Sequence, residues 1–212
     1  MSTLATLKAD IADDLARSDL TSAIASEISR AIKFYQPQRF WFNETRDLTF
    51  DTVADQPRYA GADDADIPLF YALDGMFVTD GTSEYELDTV DVRAFEVLSG
   101  SSSTSSRPYA YCRFNVGFGL YPTPDAAYTI RPMGHYKLAG PASDDEANNA
   151  WMVEAYDLIR RRALHKVVTS KRVLEAIEVV PFLRGEEQEE FNRLKDETSR
   201  RTGIGFIMPS QF

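Results

Sequence analysis

Two histidines, one cysteine, a short acidic cluster and a run of arginines are the residues of this chain whose types invite chemistry. His135 and His165 stand 30 positions apart with no carboxylate at ligand spacing on the same helix face. A zinc site needs three or four converging ligands, so packing or surface roles are expected for both. Asp63, Asp64 and Asp66 could suggest calcium. An EF-hand loop begun at Asp64, however, would need Gly and Glu where Leu69 and Gly75 stand, and a solvated acidic loop is the expectation. Gly117-Phe118-Gly119 lacks the third glycine of a dinucleotide fingerprint, and the following Leu120-Tyr121-Pro122 does not open a helix. There is no Gly-x-Ser-x-Gly elbow, no Gly-Lys-Ser/Thr phosphate loop and no catalytic Cys-His context. Cys112, in the strand-like run Tyr109–Phe114 with no cationic cluster to lower its pKa, reads as a small buried hydrophobe. No enzyme activity, metal or cofactor is expected.

Two features point instead to contacts between surfaces. Arg160, Arg161 and Arg162, with His165 and Lys166, form the one concentrated basic patch. It is either a solvated face complementing a nearby helix C-terminus or a contact with an acidic neighbour, such as the acidic half of another copy. At the other feature, Ile204, Phe206, Met208 and Phe212 occupy even positions, with Ile207 between them, and would project to one side of an extended chain. Such a segment docks on its own core, pairs with a neighbour's exposed edge, or stays disordered.

The elements that must position these groups divide by period. Leu4, Leu7, Ile11 and Leu15 fall on one helical stripe, and Ile24, Ile28, Ile32 and Tyr35 on another, with Asp19 or Thr21 as its cap and Pro37 as its stop. From Arg39-Phe40-Trp41-Phe42 the period becomes two, through Leu48–Thr52 and a hairpin turning at Asp80-Gly81. A short helix follows over 89–98, capped by Thr89, then the Ser-rich loop 99–106 and strands at 109–114, 118–121 and 128–136. Ser143 and Glu146 have the spacing of a capping box. Trp151, Ala155, Leu158, Ile159, Ala163 and Val167 then make a clear helical stripe. Pro181 bends or restarts the chain, and 185–201 is a charged helix whose apolar residues are Phe191 and Leu194. The expected fold is α+β: N-terminal and C-terminal helices (3–36 and 146–201) forming a helical bundle, with an inserted small antiparallel β-sheet region (39–136). Together these make one domain over 1–202, with 203–212 an extended C-terminal arm.

Composition narrows the function further. The chain has 43% hydrophobic residues and one cysteine, so a core is affordable without disulfide staples. No apolar run approaches the roughly 20 residues of a membrane span, and the first ten residues lack the pattern of a signal peptide. Of the net charge of −10, residues 1–146 carry −11 and residues 147–212 carry +1. An acidic surface of this kind does not grip nucleic acid, since phosphate binding depends on clustered Lys and Arg.

The succession of aromatics and turns then becomes informative. Paired N-terminal helices, Arg39-Phe40-Trp41-Phe42-Asn43-Glu44, the stretch Leu48–Tyr59, Tyr85-Glu86-Leu87 before a short helix, Pro108–Tyr111, Leu120–Pro124 and a Trp151 helix running through Asp157–Arg160 resemble the head-to-tail adaptor (connector) proteins of tailed bacteriophages. The likeness is best over about 40–165. The resemblance implies a structural virion protein at the head-tail interface. It implies a homo-oligomeric ring, commonly a dodecamer, bound beneath the portal protein and offering tail or nozzle proteins a platform. DNA would pass through the lumen without specific binding, and no membrane would be involved. By matching position, the portal-contacting or neighbour-contacting arm is Gly203–Phe212, with Ile204, Phe206, Ile207, Met208 and Phe212 as its apolar residues. Another neck or tail component (a terminator or baseplate part), a monomeric ligand-binding α+β domain, and a phage-borne cell-wall hydrolase are the competing readings.

Overall fold

A Thr3 capping box opens the first helix: the Thr6 backbone N–H donates to Thr3 Oγ1 at 3.2 Å and the Thr3 N–H to Thr6 Oγ1 at 2.8 Å. The computed structural model describes residues 2–64, 67–101, 104–114, 116–171 and 173–202. In chain order the elements are α1 (Leu4–Asp14), α2 (Thr21–Tyr35), β1 (Glu44–Thr45), β2 (Phe50–Asp51), β3 (Arg58–Ala60), β4 (Phe70–Asp80), β5 (Ser83–Glu86) and β6 (Asp88–Thr89). They continue with α3 (Val92–Ser101), β7 (Ala110–Phe114), β8 (Gly117–Tyr121), β9 (Thr129–Tyr136), α4 (Ala150–Glu154), α5 (Tyr156–Lys171) and α6 (Val180–Thr202). The fold is α+β. The chain separates into a helical unit, 1–42 with 138–212, and a β-rich unit, 43–137.

In the helical unit both N-terminal stripes turn inward as their spacing predicts: Leu7 and Ile11 are sealed from solvent and Leu15 is buried, Leu4 is half-buried, and Ile24, Ile28, Ile32 and Tyr35 line the inner face of α2. The cap of α2 differs from expectation. Leu20 occupies the N-cap position, because Asp19 is held by Arg17 at 2.7 Å and the Thr21 hydroxyl donates to the Ser18 carbonyl. The aromatic run at 39–42 is not a strand either: Trp41–Asn43 forms a 3-10 turn. Phe40 is buried, edge-on to Trp151 and Phe191 at 6.3 and 6.1 Å. Its rings fill space between helices, and that packing outweighs β propensity.

The Trp151 stripe is buried throughout. Its helix is divided at Ala155 into α4 and α5, and Asn149, whose Oδ1 accepts from the Trp151 N–H at 3.2 Å, caps α4. Glu146 closes the preceding turn instead, accepting from the Ala142 N–H and from Asn149 Nδ2. Pro181 sits in the first turn of α6, where its missing N–H costs nothing. On α6 the buried seam runs Val180, Leu183, Glu187, Leu194 and Thr198, with Phe191 packed beside it. The polar members matter: Thr198 Oγ1 accepts from the Trp41 N–H at 3.3 Å, tying the aromatic turn to α6.

Among the described residues the β-rich unit holds two sheets rather than one, with orders β1-β9-β4-β5, where β2 also pairs with β9, and β3-β8-β7-β6. Pairing is antiparallel except for the two-residue parallel contact of β6 with β7. Phe50, Tyr59, Met76, Val78, Phe118, Leu120 and Ile130 form its core. The Asp80-Gly81 turn joins β4 to β5, with Gly81 at φ +64°. α3 begins three residues later than its sequence period suggests: Thr89 lies in β6, and Asp91 Oδ1 caps by accepting from the Ala94 N–H at 2.9 Å. This helix lays Phe95 against Gly119, where a Cβ would stand 2.4 Å from the ring.

Candidate functional site

The chemistry-bearing residues do not converge. His135 lies on β9 of the β-rich unit, stacked on Tyr71 at 5.6 Å, whereas His165 lies on α5 of the helical unit. Asp63 serves its own turn, Oδ2 accepting from the Ala60 N–H at 2.8 Å; Asp66 lies outside the described residues. Gly117 and Gly119 are strand residues packed against β3 and α3. Cys112 is fully buried, and burial, with Asp91 and Glu96 adding to it, pushes its thiol pKa up. Among the described residues no group of three or more His, Cys, Asp or Glu could hold a metal ion, and no helix is long and apolar enough to cross a membrane.

The arginine run is used inside the subunit. Arg160 forms a two-pronged bond to Asp14 of α1 at 2.7 and 3.0 Å, Arg161 pairs with Glu186 of α6 at 3.0 Å, and Arg162 reaches Glu187 of α6 at 2.7 Å. Tyr156 adds a hydroxyl bond to Asp10 at 2.7 Å. Three consecutive arginines thus clamp α5 to helices on both sides, because successive helical positions point about 100° apart. Lys166 is exposed.

Around Glu187 these bonds build the floor of a groove. Tyr35 Oη donates to Glu187 Oε1, Arg162 Nη1 donates to the same oxygen, and His165 Nε2 lies 3.0 Å from Oε2. That last approach is an ion-pair distance without hydrogen-bond geometry, and both ring nitrogens are buried. Burial holds the His165 pKa below its ordinary value, outweighing the pull of Glu187, so the ring is neutral at pH 7. Burial first, then the bond to Glu187, pushes Tyr35 well above the usual phenol range. The floor is therefore one cation, one anion and two neutral groups.

Three aromatic rings and two glutamines make the walls. The Arg162 guanidinium lies 3.3 Å from the Phe34 ring centroid, and Tyr35 stacks on Phe191 at 5.8 Å. Phe34 and Tyr35 of α2, with Gln38 just beyond its end, face Glu187, Gln188 and Phe191 of α6 across an open space of about 260 Å³. Phe34 is 54% exposed. The groove thus sets three aromatic rings beside the side-chain amides of Gln38 and Gln188, above the Arg162–Glu187 pair.

Glu187 was not among the residues the sequence reading singled out, yet a signal exists. The seam of α6 runs 180, 183, 187, 191, 194, 198, and a carboxylate at the third of these positions interrupts an apolar stripe. Such a residue must find buried partners. The expected arm residues Ile204, Phe206, Ile207, Met208 and Phe212 lie outside the described residues.

The chain matches one family model, described as SU10 adaptor protein, over residues 2–203. The chain belongs to the SU10 adaptor family. No curated protein matches it. The adaptor's match spans both units, so the β-rich unit is part of the family's body rather than an appended module. As a phage adaptor the protein is a structural virion component. The adaptor's charge also follows its units: residues 43–137 carry 7 Lys and Arg against 15 Asp and Glu, the remainder 16 against 18. Most of the acidity therefore belongs to the β-rich unit.

Proposed function

We propose that this adaptor assembles as a homo-oligomeric ring, a dodecamer, beneath the portal protein, extends the DNA channel and gives tail or nozzle proteins their attachment platform. The observation that carries the reading is the adaptor-family match across residues 2–203. Charge supports it: twelve copies would bring about −120 formal charges to the neck, which repel DNA and let it pass without specific binding. In this reading Gly203–Phe212 is the arm that contacts the portal or a neighbouring subunit through Ile204, Phe206, Ile207, Met208 and Phe212. Arg160, Arg161 and Arg162 spend their charge within the subunit, so the proposed subunit contact draws on Lys166 and the exposed edges of Arg160 and Arg161.

Co-purification with the portal protein tests the reading. The wild-type chain should be captured by portal rings and the chain lacking 203–212 should not, with the helical signal of both unchanged. Equal capture of the two would remove the arm from the account.

A further inference from the structure

We propose that in the unassembled subunit the groove between α2 and α6 holds the chain's own segment Gly203–Phe212, centred near Met208. The groove suits a side chain rather than an ion or a cofactor. Its volume, about 260 Å³, is below the roughly 300–1,000 Å³ of small-molecule sites, and Arg162 and Glu187 already neutralise each other on its floor. Phe34, Tyr35 and Phe191 line it beside Gln38 and Gln188, and Phe34 remains 54% exposed.

Reach selects the occupant. Gln188 precedes Thr202 by 14 residues of one continuous helix, about 21 Å at a rise of ~1.5 Å per residue. A chain that reverses after Thr202 and runs back extended, at ~3.3 Å per residue, covers this distance in about six residues. That brings position 208 to the groove, and Gly203 and Gly205 supply residues that turn readily. Phe206 and Met208, two apart, would both face the groove from an extended chain, and thioether–aromatic contact with Phe34 or Phe191 is favourable. Tethering gives the segment an effective concentration near millimolar, so at micromolar protein it outcompetes the same segment of a second copy. The docking stands on groove and reach alone. Its use, keeping an adhesive arm covered until assembly, rests on the arm reading proposed above.

The full chain carrying Gln188→Cys and Met208→Cys, oxidised at micromolar concentration, tests the docking. Cys112 is fully buried and does not compete. The expected result is an intrachain disulfide in most molecules, seen as a faster-migrating monomer. Adding Phe34→Ser, at an exposed position that leaves the helical signal intact, should cut the yield at least fivefold. Replacing Met208→Cys by Ile204→Cys should cut it similarly. Covalent dimers would place the segment on a second copy and overturn the proposal, as would a yield no higher than that of the Ile204→Cys control. An intrachain disulfide together with undiminished portal capture by the chain lacking 203–212 would leave the docking standing and refute only the arm's role in assembly.

Discussion

Removing the Glu187 carboxylate perturbs the helical unit at the point where three helices share one charge. Tyr35, Arg162 and His165 all approach it, and the side chains of Arg162 and Glu187 are only 15% and 11% exposed. Glu187→Ala leaves a guanidinium and a phenol buried without an acceptor. Breaking such a pair costs about 3–5 kcal/mol, whereas replacing all members by apolar groups of similar size is about neutral or stabilising. Glu187→Ala should therefore lower the urea midpoint by about 2 M, at an m-value of ~2 kcal/mol/M. The triple variant Tyr35→Phe, Arg162→Met, Glu187→Leu should recover most of that loss. Both tryptophans, Trp41 and Trp151, lie in the helical unit, so tryptophan fluorescence reads this unit without interference from the β-rich one. A loss below about 1 kcal/mol for Glu187→Ala, or a triple variant no more stable than the single, would refute the reasoning, because the cost is attributed to the stranded partners rather than to lost packing.

Because His165 binds its proton less readily folded than unfolded, stability should fall as pH drops below about 6.5 and level off below the folded pKa. His165→Gln should flatten that part of the melting-temperature profile, and an unchanged slope would contradict the assignment. Gly119→Ala should destabilise the β-rich unit by about 1–3 kcal/mol, since the new Cβ meets Phe95; Phe95→Leu added to it should restore part of the loss, read by amide exchange in β7 and β8. Asp91→Ala should cost about 1 kcal/mol through loss of the α3 cap and raise exchange in the first turn of that helix.

Periodic burial was legible in the sequence. The stripes of α1, α2 and α5 and the Asp80-Gly81 hairpin follow from spacing alone, because a 3.6-residue or two-residue period has one way to bury its apolar face. What was illegible depended on partners distant in sequence. Thr21 looks like a cap until its hydroxyl is seen on Ser18, and Phe40 looks like a strand residue until Trp151 and Phe191 close around it. Likewise the arginine run reads as one basic patch, because charge along a line cannot reveal that Asp14, Glu186 and Glu187 stand opposite successive residues. The groove needs α2 and α6 side by side, and only the interrupted stripe at Glu187 hinted at it.

The central claim, that this adaptor builds the ring joining portal to tail, is tested most directly by imaging the neck of the purified virion at side-chain resolution. The account predicts twelve copies of this α+β chain in a closed ring against the portal, with density for Gly203–Phe212 leaving its own subunit to touch the portal or a neighbouring copy. A neck ring built from another chain, with this one found elsewhere in the particle, would contradict it.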